Sequence, residues 1–198
     1  MSPELLLPLC TFAAVTTITP GPNNAMIMAS GLNYGFMRSL PHLFGITCGF
    51  TFMIFMTGVG LHVVFEQVPM LQTILKYGGA IYLLWLAWKL AQAAPMSSEQ
   101  AALSKPMGFF GAAAFQWINP KAWVMALSAL TTYLPQGFTA GDAAMLAGIF
   151  GVIGVFCVGA WAMFGVAMRR VLQDPRSVRI FNIAMALLLV ATLYPMLA

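Results

Sequence analysis

The stretch Thr19-Pro20-Gly21-Pro22-Asn23-Asn24 decides how this chain folds. It lies within an apolar run, about residues 5–28, that is long enough to cross a bilayer. Proline has no N–H and clashes with the preceding turn, so both prolines leave carbonyls one turn back unpaired. In lipid such groups are tolerated only where protein or a water-filled cavity satisfies them. The stretch therefore predicts a broken helix that lines a cavity, with Asn23 and Asn24 as its polar groups. The alternative is a simple proline kink.

The composition indicates an integral membrane protein. Of 198 residues, 61% are hydrophobic and only 7% are charged, whereas an average soluble domain is about a quarter charged. A soluble chain of this length could not bury so much apolar surface. The net charge of +4 comes from basic residues between apolar runs, so it indicates membrane topology and no nucleic-acid partner. The three cysteines have no metal-like spacing, and we expect no metal or other cofactor.

Six apolar segments each approach the roughly 20 residues that a bilayer requires. They cover about residues 5–30, 40–63, 71–92, 109–133, 143–168 and 178–197. The sequence thus predicts an all-α integral membrane protein with six transmembrane helices. We expect a single transporter domain, residues 1–198, made of two halves, about 1–95 and 106–198, joined by a polar linker at about 93–106.

The loop charges predict the orientation. The first, third and fifth connectors hold seven basic residues, namely Arg38, Lys89, Lys105, Arg169, Arg170, Arg176 and Arg179. Only Lys76 lies near the second and fourth connectors. By the positive-inside rule the odd connectors are cytoplasmic, so both termini face outside, as an even number of spans requires.

The two halves share a feature. Thr19-Pro20 in the first span corresponds to Asn119-Pro120 in the fourth, and each pair is a proline break at a similar depth. With three spans per half, the second half must insert upside down relative to the first. Inverted repeats with paired broken helices, here helices 1 and 4, and a site near the midplane are typical of transporters. Chance placement of the prolines is the alternative.

Lys121 is the sharpest single candidate for function. It falls near the centre of the fourth span, where a charge costs on the order of 3 kcal/mol on insertion scales. No carboxylate lies in the middle of any span, so the sequence predicts that a substrate carboxylate is its partner. Alternatively, the span begins later and the lysine side chain extends to the membrane surface.

These observations define a candidate substrate site. Carbonyls freed by the prolines could hold an ammonium group, and a helix that restarts after Pro22 would direct N–H groups at an anion. Together they suit a small zwitterion. The candidate site residues are Thr19, Pro20, Gly21, Pro22, Asn23, Asn24, Asn119, Pro120 and Lys121.

Two histidines and two glycines mark the second span. His42 and His62 lie at its opposite ends, and histidine titrates in the physiological range, so both are candidates for proton coupling. The alternative is that they are ordinary interfacial residues. Gly45 and Gly49 form a GxxxG pattern, which allows close approach of another helix.

The chain resembles the LysE/RhtB family of amino-acid exporters over nearly its whole length. The resemblance rests on the first-helix stretch at residues 19–24, on Gly45-Ile46-Thr47-Cys48-Gly49, on residues 76–86, and on Phe115-Gln116-Trp117-Ile118-Asn119-Pro120-Lys121-Ala122. It implies about six helices in a bacterial inner membrane and export of small amino acids or relatives against protons. Trp85-Leu86-Ala87-Trp88-Lys89, with Lys105-Pro106 and Phe115-Gln116, is most similar to the cysteine/O-acetylserine branch.

We therefore expect a secondary transporter that exports small neutral amino acids or close derivatives, working as an antiporter. A channel or passive pore for small anionic or zwitterionic solutes is the alternative. An enzyme is not expected, because the spans contain no nucleophile–base pair, and the absence of a GxxxxGK[ST] motif leaves a gradient as the energy source. The expected partners are a small amino-acid substrate and the lipid bilayer, with a homodimer left open.

Overall fold

The computed structural model describes residues 3–61, 69–92, 105–172, 174–191 and 193–194. These residues form eight α-helices and no strand, which confirms the all-α class. The helices are α1 (Leu6–Ile18), α2 (Pro22–Tyr34), α3 (Phe36–Met56), α4 (Pro69–Gln92), α5 (Phe109–Phe115), α6 (Pro120–Tyr133), α7 (Ala140–Val171) and α8 (Pro175–Ala191). Short 3₁₀ turns cover Pro3–Leu5 and Gln116–Ile118, and a π-helical turn covers Thr57–Leu61.

Both predicted helix breaks are present. α1 ends at Ile18, Thr19 has extended backbone angles (φ −61°, ψ 143°), and α2 begins at Pro22. Asn119 is likewise extended (φ −88°, ψ 107°) and α6 begins at Pro120. Proline suits the first helical position because the N–H that it lacks would have no partner there. The first break is a true interruption of the helix and not a simple kink.

The unbroken helices α3, α4, α7 and α8 each cover one predicted apolar segment. Two described helices, Phe36–Gly60 and Ala140–Arg169, are long and apolar enough to cross a membrane by themselves. The pieces on either side of the breaks are shorter, at 13 residues for α1 and 13 for α2. The second segment begins earlier than predicted, at Phe36. The six-span inverted arrangement itself stays a prediction.

α7 lies at the centre of the bundle and packs against α1, α2 and α3. Two glycines allow the closest of these crossings. A Cβ on Gly31 would collide with the carbonyl oxygen of Ala162, and one on Gly165 would collide with the carbonyl oxygen of Met28. The backbones of α2 and α7 are therefore in direct contact, the arrangement that small residues permit between helices in lipid.

A second close crossing joins α3 to α5. A Cβ on Gly45 would collide with the carbonyl oxygen of Phe109, and one on Gly49 would lie 2.5 Å from the Cα of Ala113. The predicted packing role of the GxxxG pattern is confirmed. These two crossings hold the broken segments α1–α2 and α5–α6 against α3 and α7, so the two breaks face each other.

Candidate functional site

The two helix breaks meet at one cavity. Gly21, Asn23 and Asn24 line it from the first break, and Asn119 and Lys121 line it from the second. Side chains of α3 and α7 complete its wall. The sequence predicted that these two regions approach each other, and the structure brings them into hydrogen-bonding contact.

The ammonium group of Lys121 sits inside the first break. Its Nζ donates to the carbonyl oxygens of Thr19 (2.7 Å) and Pro20 (3.2 Å) and to Thr19 Oγ1 (2.9 Å). A lysine has three donors and no acceptor, so these three oxygens can satisfy it. We call this set of three oxygens the carbonyl cradle.

The carbonyl cradle corrects two expectations. Lys121 was expected to find its partner only in a substrate carboxylate, but it has protein partners in the backbone that Pro20 and Pro22 free from helical bonding. Those carbonyls were expected to hold a substrate ammonium, but they hold the ammonium of Lys121. The Nζ lies 2.7 Å from the carbonyl oxygen of Thr19, which is exposed, so the alternative in which the lysine extends to the membrane surface stays a prediction.

Gly21 leaves room for this lysine. A Cβ on Gly21 would lie 2.8 Å from Lys121 Cδ and 3.1 Å from its Nζ. The backbone of Gly21 is fully extended (φ −179°, ψ 179°), which any residue can adopt. The requirement for glycine here is therefore steric, and it concerns the approach of Lys121.

Asn24 closes the end of α1. Its side chain is buried, and Nδ2 donates to the carbonyl oxygens of Thr17 and Thr19, both at 2.8 Å. These are carbonyls that the break leaves without a helical N–H. Asn24 thus stabilises the interruption, and the Thr19 carbonyl accepts from both Asn24 and Lys121.

Asn23 links the two halves through an amide pair. Its Nδ2 donates to Gln116 Oε1 (2.8 Å), and Gln116 Nε2 donates back to Asn23 Oδ1 (3.1 Å). Gln116 is fully buried and also donates to the carbonyl of Ala112. The sequence analysis did not single out Gln116. A polar amide in an apolar segment, four residues before Pro120, was the available signal.

The amide pair predicts a measurable coupling. Asn23→Leu or Gln116→Leu alone should lower the free energy of unfolding by about 1–3 kcal/mol, because each leaves the partner amide buried without its hydrogen bond. The double variant should recover part of this loss, giving a coupling energy of about 1 kcal/mol. Thermal unfolding of the purified protein in detergent measures both. Asn33→Leu is the matched control, since Asn33 donates within its own helix, to the Ala29 carbonyl. Strictly additive effects would show that the pair is not energetically coupled.

Two helix N-termini face the same cavity. Asn119 caps α6, because its Oδ1 accepts from the backbone N–H of Lys121 at 3.2 Å. α2 begins directly at Pro22, and Asn23 and Asn24 in its first turn line the cavity. The first N–H groups of a helix carry a partial positive charge. The cavity therefore offers N–H groups and Lys121 for an anion, and the Lys121 side chain connects it to the carbonyl cradle.

The cavity is narrow in this conformation. A water-sized sphere can occupy only about 40 Å³ of it, and one water needs roughly 10–15 Å³ by this measure. There is room for about three waters. A solute as large as an amino acid requires the cavity to widen.

The histidines fall outside this site. His42 is buried, with only 1% of its surface exposed, and its Nδ1 lies 2.8 Å from Ser30 Oγ. His42 is thus covered by protein, and its interpretation as an interfacial residue stays a prediction. His62 lies outside the described residues. A role in proton coupling stays a prediction for both.

The long apolar helices and the polar cavity at two helix breaks are typical of a membrane transporter. The chain belongs to the LysE type translocator family, whose model matches residues 14–192, so it is a transporter and not an enzyme. The similarity thus extends over both breaks and both halves.

Curated relatives support the same assignment. The chain is 32% identical over 192 residues to cysteine/O-acetylserine efflux proteins of Escherichia coli (strain K12) and of Shigella sonnei (strain Ss046). Each alignment covers 96% of this chain and 96% of the relative. No solved structure matches the chain.

Proposed function

We propose that this protein is a secondary transporter that exports small neutral amino acids or close derivatives from the cytoplasm, with the substrate held between the two helix breaks. The observation that carries the proposal is the position of Lys121. Its ammonium lies in the carbonyl cradle of the first break while its helix begins at the second. Lys121 thus connects the two helix breaks on either side of a polar cavity, in an otherwise apolar bundle.

The geometry suits a zwitterion through an exchange of partners. An ammonium group already occupies the carbonyl cradle, so the α-ammonium of an amino acid fits the same oxygens. When the substrate ammonium takes that place, Lys121 is free to pair with the substrate carboxylate, a charge-assisted contact that is strong in a low-dielectric site. The N-termini of α2 and α6 favour the same carboxylate.

The substrate class follows from what the cavity offers a side chain. Beyond its polar end the wall is apolar, with Phe50, Met125 and Phe150 among the lining residues, and the part of the chain that the structure describes contributes no carboxylate to it. A cationic side chain would have no counter-charge there. The efflux proteins named for cysteine and O-acetylserine are similar over nearly the whole chain, and both of those solutes are small and neutral.

Contacts between helices support the inverted repeat. In such a repeat, spans 1, 2 and 3 exchange with spans 4, 5 and 6. The helices of the broken first span, α1 and α2, pack on α7, which is span 5. In the same way α5, the first helix of the broken fourth span, packs on α3, which is span 2. The contacts between spans 2 and 5 (α3–α7) and between spans 3 and 6 (α4–α8) are unchanged by this exchange. This pattern favours alternating access over a permanent pore, as does the narrow cavity.

The orientation in the membrane follows from the charges of the connectors. We propose that both termini lie on the periplasmic side of the bacterial inner membrane, because seven of the eight basic residues in or near the connectors belong to the odd ones. An exporter so oriented would bind its substrate from the cytoplasmic side and draw its energy from an ion gradient, with protons as the proposed coupling ion.

Reconstituted counterflow tests the proposal. Proteoliposomes preloaded with one unlabelled amino acid are diluted into a trace of the same labelled amino acid, over a panel that includes cysteine, O-acetylserine, lysine and glutamate. We expect transient accumulation of label for small neutral members and none for lysine. A passive pore would equilibrate the label without overshoot, and that result would contradict the carrier assignment.

A further inference from the structure

A second polar cavity lies at the other end of α2. Ser30 and Asn33 of α2, His42 of α3, Lys89 of α4 and Lys105 line it. It shares no lining residue with the cavity between the two helix breaks, here called the central cavity. Its volume, about 230 Å³ by the same water-sized measure, is several times larger than that of the central cavity. It is thus a separate space, and already large enough for a small solute.

The buried histidine in its wall has an unused nitrogen. His42 Nδ1 pairs with Ser30 Oγ at 2.8 Å, and Nε2 is buried without a hydrogen-bond partner among the described residues. The Ser30 hydroxyl has no other acceptor in that part of the chain, so it donates to Nδ1. The neutral ring then carries its hydrogen on Nε2, which makes Nε2 a donor that lacks an acceptor. Nε2 is out of reach of a water-sized sphere, so a ligand in the cavity lies against the His42 ring without a hydrogen bond to Nε2.

The charges of this cavity favour an anion. Lys89 and Lys105 both line it, and no Asp or Glu is among its lining residues in the described part of the chain. Lys89 Nζ lies 4.1 Å from the centroid of the Trp85 ring. At an exposed position this cation–π contact is weak, so the lysine can turn toward a ligand. Two ammonium groups suit the two oxygens of a carboxylate.

We propose that this cavity binds the carboxylate of a small amino acid before it reaches the central site. The idea that the carboxylate belongs to the transported solute rests on the proposed function. Under the proposed orientation Lys89 and Lys105 are cytoplasmic, so the cavity forms the entrance from the side where an exporter takes up its substrate. Lys89 and Lys105 attract the carboxylate, and the His42 ring, held by Ser30, forms part of the wall beside it.

Histidine NMR tests this site directly. The chain has two histidines, so a His62→Gln variant with ¹³Cε1-labelled histidine gives a single signal, from His42. The wild-type chain with two signals serves if that variant is poorly produced. The protein is placed in phosphatidylcholine nanodiscs and titrated with acetate at constant ionic strength, balanced with chloride. Glycinamide, which has an ammonium but no carboxylate, is the matched control ligand.

We expect acetate to shift the His42 signal saturably and glycinamide to leave it unchanged. Lys89→Gln and Lys105→Gln should each weaken the apparent acetate affinity by roughly two- to fivefold, as partly screened charges do. The shift should persist in Lys121→Met, which alters only the central site, so failure of the proposed function would leave this result intact.

Three results would overturn the assignment. Absence of a saturable acetate shift would mean that no carboxylate binds beside His42. An equal shift with glycinamide would exclude recognition of the carboxylate. A shift that vanishes once anionic lipid is added to the nanodiscs would assign the cavity to a lipid headgroup.

Discussion

Replacing Lys121 with methionine is expected to lower counterflow by at least about tenfold while the protein still folds. A hydrogen bond to a charged group contributes about 1.5–3 kcal/mol, which corresponds to roughly ten- to hundredfold in affinity. Folding should suffer less. The Thr19 carbonyl keeps its bond from Asn24. Removing a charge from the span also relieves an insertion penalty of about 3 kcal/mol.

The controls separate transport from structure. Arg179→Met removes an exposed basic residue of α8 that lines neither cavity, and its counterflow should match the wild type. Lys121→Arg should not restore transport, because a planar guanidinium does not fit a cradle built for a compact ammonium. All variants are compared at matched amounts of folded protein. Normal counterflow by Lys121→Met would exclude the lysine from the substrate site.

Gly165→Ala is expected to prevent the bundle from assembling. The added methyl group would collide with the carbonyl oxygen of Met28, a backbone atom that cannot rotate away. Overpacking a well-filled interior costs typically 1–3 kcal/mol and sometimes more, and here both partners are helix backbones. We expect little monodisperse protein by size-exclusion chromatography and a lowered Tm for any that is recovered.

A matched control lies on the same helix. Nothing lies within 4 Å of a Cβ built on Gly148, so Gly148→Ala should be neutral or slightly stabilising, as alanine favours a helix over glycine by up to about 1 kcal/mol. Equal yields and equal Tm values for the two variants would show that α2 and α7 do not cross as closely as described.

The helix breaks were predictable from the sequence because proline acts locally. Pro22 and Pro120 lack an N–H and each begins a helix. A single proline such as Pro41 is accommodated inside α3, whereas two prolines with a glycine between them, or an Asn-Pro pair, favour an interruption. The GxxxG crossing was predictable for a similar reason, since Gly45 and Gly49 on one face permit a close neighbour. Periodicity and composition were enough to indicate an all-α membrane protein.

The partner of Lys121 could not be predicted, because it is made of backbone oxygens that no residue letter reveals. No span has a carboxylate in its middle, whereas the backbone of the first break supplies the acceptors for the ammonium group. The pairing of Asn23 with Gln116 was missed for a related reason. It joins residues 93 positions apart, and only the packing of α5 against α3 brings them together. The burial of His42 depends on the same tertiary contacts.

The central claim is that the substrate lies between the two helix breaks. Its most direct test is a structure of the protein bound to the amino acid that counterflow identifies. The account predicts that the substrate ammonium lies in the carbonyl cradle of Thr19 and Pro20, and that its carboxylate lies within hydrogen-bonding distance of Lys121 Nζ. A substrate bound elsewhere, with Lys121 still held by the cradle, would contradict it.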